Sequence, residues 1–343
     1  MDKVGTHAAA NAKAKAMLGR LLNERDYKIL LKLETVKEVL DYLKKNTHYK
    51  GILTDTDEDT QVIEVLMKRY FFSAYEKFYH FYVNDYRAFI KVLFMRFEVE
   101  NLKLYLRALT RHEKLNTIEA HLLTSKVFSN LDYSKLNLAT TLEELLMSLA
   151  HTPYDQVLEA YLDEEPSSRI FHMEMVLDRI YFNALSESIL KLSQRDQSLM
   201  QELLGINIDI LNVQWIFRGR YYFNITSEEL FNYTLNGGAK YDFRSLKRFC
   251  YMDIEDFKRE VSQGDYKNIF EDKAYMLERA MERQLYYKLV DFTKQADLSL
   301  SLPVVVLFKF EYEIRDLFTI LEGIKYHAID VESLLIRDLR RGN

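Results

Sequence analysis

The chain has 343 residues, enough for one large body or two to three domains, and is 48% hydrophobic and 29% charged, a globular balance too apolar for a disordered chain. Its net charge of −5 gives no general attraction to phosphate backbones, so nucleic acid is not an expected partner. The single cysteine, Cys250, excludes an intramolecular disulfide framework and fits a reducing compartment.

Glycine and proline number only 10 and 3, and neither occurs between Gly51 and Pro153; such a run without turn formers predicts long helices. Met1 to Lys15 mixes charges with alanines and lacks the continuous apolar stretch of a secretory signal, so export is not expected. Asp26-Tyr27-x-x-Leu30 and Thr35-x-x-Glu38 follow. The second reads as a capping box, in which the two side chains satisfy amides that a first helical turn leaves unbonded. Val36, Val39 and Leu43 then share one helix face, and the stretch ends in Tyr49 with Ile52-Leu53. The acidic run Asp55 to Asp59 resembles the opening of a calcium loop. Thr60 stands where that loop needs glycine and Leu66 where its bidentate glutamate belongs, so the run reads as a solvated linker.

From Thr60 to His112 no breaker occurs, and one straight helix would reach roughly 75 Å, with a kink or short loop near Asn84 as the alternative. This stretch carries Glu64…Arg69 with Phe71-Phe72, then Glu98-x-x-Asn101-Leu102 and, further on, Ala108, a small side chain that lets helices approach closely. Its aromatics, from Tyr70 and Phe71 through Tyr82 to Phe89, are too dense for one face. That predicts burial in preference to a base-stacking or lipid-facing surface.

The same four blocks then recur in order. Asp132-Tyr133-x-x-Leu136, Thr141-x-x-Glu144 with Leu142, Leu145 and Leu149, and Tyr154 with Val157-Leu158 repeat the opening pattern. Glu174…Arg179 with Tyr181-Phe182 and Asp209-x-x-Asn212-Val213 with Gly219 repeat the long-helix pattern, and Trp215 is assigned to the core. Next come Asp242-Phe243-x-x-Leu246, then Asp253-x-x-Asp256 with Ile254, Phe257 and Val261, then Tyr266 with Ile269-Phe270. Glu278…Arg283 with Leu285-Tyr286 and Glu313-x-x-Asp316-Leu317 with Gly323 close the series. Here Leu277, Ala280, Met281, Leu285, Leu289 and Phe292 form an apolar stripe, with Glu278 and Glu282 facing away. The run Leu298 to Phe308, broken by Ser299, Ser301 and Pro303, is about half the ~20 residues that a membrane helix needs.

The chain thus divides into residues 1–56, 57–165, 166–272 and 273–343, the middle two being complete repeats and the outer two the halves of a third. An open solenoid exposes its ends, whereas a repeat split across the termini lets the first segment pack on the last and close a ring. The expected fold is all-α: three similar helical lobes in a pseudo-threefold funnel, the third lobe completed by both termini.

Residues that carry chemistry are sparse. The eight histidines form neither HxxxH nor HExxH, so no metal is expected. Gly237-Gly238 runs into Ala239-Lys240 without the frame of a phosphate loop, there is no GxSxG elbow, and Cys250 lacks the context of an activated nucleophile. No catalytic residue and no cofactor are expected. Arg337, Arg340 and Arg341 form a basic tail, either solvated or a docking point for lipid headgroups or an acidic partner.

Asn11-Ala12-Lys13-Ala14-Lys15-Ala16-Met17 with Leu21-Leu22, the recurring Glu…Arg helix starts, Glu98…Asn101-Leu102…Arg107 and Asp209…Asn212…Arg218 together give the resemblance. Over essentially its whole length the chain resembles the C subunit of bacterial A/V-type ATPases, whose eukaryotic counterpart is the d subunit. The third copy departs from the pattern, with Asp316 for asparagine and Glu322 for arginine. The resemblance implies a non-catalytic rotor component, a funnel on the cytoplasmic side of the membrane proteolipid ring that receives the central shaft. It implies torque passed between ATP hydrolysis and proton or sodium transport. The implied partners are shaft subunits of the D and F type and the ring, with peripheral attachment to the cytoplasmic face of the cell membrane through the ring. Arg107 and Arg218, recurring after the packing motif, are candidate partner-binding residues; the alternative is that they pair with acids inside each lobe. Two other functions stand beside this one: a generic helical-repeat adaptor with distant termini, and a helical enzyme with a pocket between lobes.

Overall fold

In the computed structural model, residues 3–53, 59–113, 115, 118, 122–125, 127–264, 266, 269–270, 276–294, 298–337 and 339 are described, and every regular element among them is helical. The opening pattern gives α1 (Lys3–Leu18), α2 (Glu24–Leu30) and α3 (Val36–Asn46), and the breaker-free stretch gives α4 (Thr60–Phe81) and α5 (Asn84–Thr110). A single straight helix is therefore not formed: Tyr82 and Val83 are extended, and Asn84, a residue that tolerates left-handed backbone, has φ 48°. The next short pair is α6 (Tyr133–Leu136) and α7 (Leu142–Met147), followed by the long α8 (Pro166–Ile189) and α9 (Gln194–Tyr221). Three shorter helices come next, α10 (Ser227–Tyr233), α11 (Phe243–Tyr251) and α12 (Ile254–Gln263). The chain ends with the long α13 (Leu277–Lys294) and α14 (Ser301–Lys325) and the short α15 (Val331–Leu334).

Local chemistry sets the starts of the short helices. Thr35 and Glu38 make the full reciprocal box at α3; at α7 Thr141 accepts from the Glu144 amide, and at α12 Asp253 accepts from the Glu255 amide. In all three the +4 and +8 apolar positions are buried, Val39 and Leu43, Leu145 and Leu149, Phe257 and Val261. The block-three aspartates differ in role. Asp132 and Asp242 are the caps of α6 and α11, whereas Asn23 caps α2 three residues earlier and Asp26 becomes its box partner.

The described residues fall into two compact units, 1–82 with 268–343, and 83–267. The division lies between Tyr82 and Val83, inside the first sequence repeat, so repeat and compact unit are different partitions of the chain. In the terminal unit α14 is the centre, packed by α4, α1, α13, α3 and α15. Its first eight residues, Ser301 to Phe308, are all buried, which is why a run this apolar is stable here. Phe310 meets Phe71 and Tyr70 edge-on, with ring centroids 5.5 and 5.3 Å apart. Among the described residues no helix is long and apolar enough to cross a membrane. In the middle unit the longest seam is α5 against α8, and α9, with Trp215 buried, is covered by α8, α10, α11 and α12.

Candidate functional site

Three carboxylates sit where charge is expensive: Glu98 on α5, Asp209 on α9 and Glu313 on α14 are 0%, 0% and 4% exposed. Each is held in the same way. The phenol of Tyr154 donates to Glu98 at 3.1 Å, that of Tyr266 to Asp209 at 2.7 Å, and that of Tyr49 to Glu313 at 2.9 Å. Backbone amides add to each set, and the Asn130 side-chain amide also donates to Glu98 at 3.2 Å. Asn130 N–H donates to Glu98, Lys240 and Tyr241 N–H donate to Asp209 at 2.7 and 3.2 Å, and Leu22 N–H donates to Glu313 at 2.5 Å. Burial pushes the Asp209 carboxyl above its ordinary range, while these donors work the other way. In the first two sets all partners follow the carboxylate in the chain; in the third Leu22 and Tyr49 come from the opposite end of the sequence.

One turn further along, the second polar residue clamps a following loop. Asn101 donates Nδ2–H to the Leu123 carbonyl at 2.8 Å and accepts the Leu123 N–H at 2.8 Å, and Asn212 does the same to Leu235 at 2.9 and 2.8 Å. An amide side chain offers one donor and one acceptor, so it matches both backbone groups of a single residue. Ionised Asp316 offers acceptors only, and it takes two successive amides, Ile336 N–H at 2.6 Å and Arg337 N–H at 3.1 Å. The departure from asparagine in the third copy is thus a change of clamp geometry. Burial raises the Asp316 carboxyl to about 6, against the pull of those two amides.

The glycine pair has its explanation here. A Cβ on Gly238 would stand 2.0 Å from Asp209 Oδ1, and one on Gly205 would stand 2.9 Å from both Ala239 N and Gly237 O. The pair lets the loop backbone reach the buried carboxylate. The small residues Ala108, Gly219 and Gly323 lie at helix ends, where their carbonyls accept from Glu113, Ile225 and Ala328 N–H at 2.8, 2.9 and 2.8 Å. Left-handed residues close these ends: His112, Asn224 and His327 have φ of 56°, 51° and 53°. A Cβ on Gly219 would meet Leu230 at 2.3 Å, and one on Gly323 would meet Val331 at 2.4 Å, so the close packing is onto the short helices α10 and α15.

Of the two candidate arginines, Arg107 places Nε and Nη2 on Glu174 at 2.5 and 2.8 Å, a two-pronged bond to the block-one acid of the next repeat. Arg218 is half-buried on α9. Beside Arg107, Lys103 donates to Asp178 at 2.6 Å and to Glu100 at 3.0 Å. Burial would lower the Lys103 ammonium, but Asp178 and Glu100 hold it above its ordinary range. Arg337 donates to the Leu22 carbonyl at 2.7 Å and stacks over Tyr27, tying the last segment to the first. Arg340, Arg341 and Asp55 to Glu58 lie outside the described residues.

The family described as ATP synthase (C/AC39) subunit matches residues 10–332. The chain belongs to that family. The C subunit of the A-type ATP synthase of Methanosphaera stadtmanae is 25% identical over 267 residues, covering 76% of this chain and 67% of its own length. The corresponding protein of Thermococcus onnurineus is 23% identical over 328 residues, 92% of this chain and 85% of its own. That of Desulfurococcus sp. is 23% identical over 326 residues, 92% and 86%.

In this C/AC39 family member the residues that sequence reasoning missed are Lys103, Asp178 and His48. Lys103 lies between Val99 and Leu106 on the buried face of α5, and a lysine on an apolar face was the available signal. His48 Nε2 lies 2.9 Å from Glu313 and its Nδ1 3.2 Å from the Tyr70 hydroxyl; it has no counterpart in the other copies, so nothing in the repeat pointed to it. Burial pushes the Cys250 thiol up to about 12, the setting of an inert core cysteine.

Proposed function

We propose that this protein is a non-catalytic central-stalk element of an A/V-type rotary ATPase. It joins the shaft, of D- and F-type subunits, to the membrane proteolipid ring on the cytoplasmic face and passes torque between ATP chemistry and proton or sodium transport. The observation that carries this reading is the tyrosine-to-carboxylate bond made three times, the third time between the two ends of the chain through Tyr49 and Glu313. A chain whose last repeat is completed by its first segment suits three lobes around an axis, and an axial opening suits a shaft. Torque needs stiff joints, and buried charge-assisted bonds together with the Arg107–Glu174 fork supply stiffness without chemistry.

Docking needs a surface as well. Each connection between paired long helices leaves apolar side chains exposed: Phe81 and Val83, Leu190, and Leu298. Such residues fit a contact with the ring's loops, with attachment to the membrane through the ring and not by insertion. Arg107, 38% exposed even while held by Glu174, and Arg218 are the cations assigned to the partner surface. The deciding experiment is to pull the tagged chain from detergent-solubilised membranes and identify its companions. Shaft and proteolipid subunits are expected, with no ATP turnover by the isolated chain; recovery of unrelated soluble proteins alone defeats the assignment.

A further inference from the structure

A small cleft of about 60 Å³ opens in the terminal unit, lined by residues of α1, α4 and α14. Tyr70, Ser73 and Lys77 stand along one face of α4, and Lys13, followed by Arg20 just past the end of α1, stands opposite. Three cations therefore line one cavity. None of the three makes an ion pair among the described residues. The Lys13 ammonium is held below its ordinary range, first by partial burial and then by repulsion from Lys77 and Arg20. Glu313 lies behind His48, and its oxygens are already taken by Tyr49, Leu22 and His48 itself. One occupied carboxylate does not offset three positive charges.

Like charges gathered in a cleft repel one another and destabilise the fold unless something neutralises them. We infer that this cleft binds a phosphate-bearing ligand. A carboxylate balances one of the three charges; a phosphomonoester carries close to two and offers three acceptor oxygens, which suits an arginine fork and two ammonium groups. The Tyr70 hydroxyl and the Ser73 hydroxyl, whose proton goes to the Tyr70 carbonyl at 2.7 Å, add polar atoms at the same wall. Met17 and Phe310 add apolar side chains to the lining beside these polar atoms. The ligand is either a soluble phosphate ester or the headgroup of a phosphate lipid.

The inference does not rest on the stalk assignment, because the test uses the isolated full chain. Thermal shift and calorimetric titration with inorganic phosphate and glycerol 3-phosphate test the soluble source. Flotation with phosphatidylcholine vesicles, with and without phosphatidic acid, tests the lipid source. Binding in either arm is expected to weaken by about tenfold for each of Lys13→Gln, Arg20→Gln and Lys77→Gln, and to persist in Lys45→Gln, an exposed lysine outside the cleft. Each cleft variant should unfold no earlier than the parent chain without ligand, since it relieves repulsion; that separates lost binding from lost fold. Absence of binding in both arms, or equal weakening by Lys45→Gln, overturns the inference.

Discussion

A phenol aimed at a buried carboxylate can be tested one atom at a time. Tyr154→Phe keeps the ring, which is fully buried, and removes only the donor to Glu98. A hydrogen bond to a charged group is worth about 1.5–3 kcal/mol, and Tyr154→Phe should cost that much in urea unfolding, with Tyr49→Phe and Tyr266→Phe similar. Losses near zero in all three would mean that the remaining donors satisfy the carboxylates without the phenols. Asp316 makes a second claim at this scale. Its carboxyl holds a proton up to about 6 when folded, whereas an unfolded aspartate releases its proton near ~3.9. Between these values the folded state binds more protons, so this residue's contribution is fully present below the lower value and falls as pH rises through the upper, by about 3 kcal/mol. Asp316→Asn has no proton to lose. The difference between the two stability curves should therefore slope downward between pH ~4 and ~6, and a flat difference would remove Asp316 as the cause. The spacing of Glu98, Asn101 and Tyr154 was legible because it recurs; their joining was not, since the Asn130, Lys240, Tyr241 and Leu22 amides that help hold the carboxylates are backbone groups with no side-chain signature.

At the scale of elements, helix starts and buried faces follow from neighbours within one or two turns, which is why the caps at Thr35, Thr141 and Asp253 and the stripe from Leu277 to Phe292 could be read directly. The break at Tyr82 and Val83 was visible only as an alternative, because no glycine or proline marks it. The α5–α8 seam was invisible. Lys103 and Asp178 are far apart in sequence, and the positions corresponding to Lys103 are Gln214 and Phe318, so no recurrence exposed the pair. Its energetics give a prediction. Removing one partner of a buried ion pair strands the other, and Lys103→Met, leaving Asp178 without its main donor, should cost about 3–5 kcal/mol. Combining Lys103→Met with Asp178→Leu replaces the pair by apolar volume and should recover most of that loss. Chemical denaturation of both variants decides the point; a double variant as unstable as the single one would place the loss in packing and not in the stranded charge.

For the whole molecule the consequential feature is the bonding between the early and late segments of the sequence. Asn11 donates to the Ser299 carbonyl at 2.8 Å, Leu22 N–H to Glu313 at 2.5 Å, and Arg337 to the Leu22 carbonyl at 2.7 Å, so the first fifty residues are anchored to the last fifty. The recurrence of the blocks was legible in the sequence; the division of the chain at Tyr82 was not, since it depends on packing between distant helices. If the repeat is the true unit, the order of the covalent links is incidental. A circular permutant opened between Leu53 and Asp59, with the old ends joined, would run as three consecutive repeats. The α1 helix of 16 residues is about 24 Å long, and a twelve-residue Gly/Ser linker, reaching up to ~40 Å extended, spans it. The permutant should keep the helical circular dichroism of the parent and unfold within about 5 °C of it, a stability change near 1 kcal/mol or less. Tyr49→Phe should cost the same in both chains, because the bond to Glu313 does not depend on which side of it the chain is cut. A permutant that fails to fold, or in which Tyr49→Phe becomes silent, would show that the segment between Leu53 and Asp59 holds the first helices in place and that the tripled pattern does not define the folding unit.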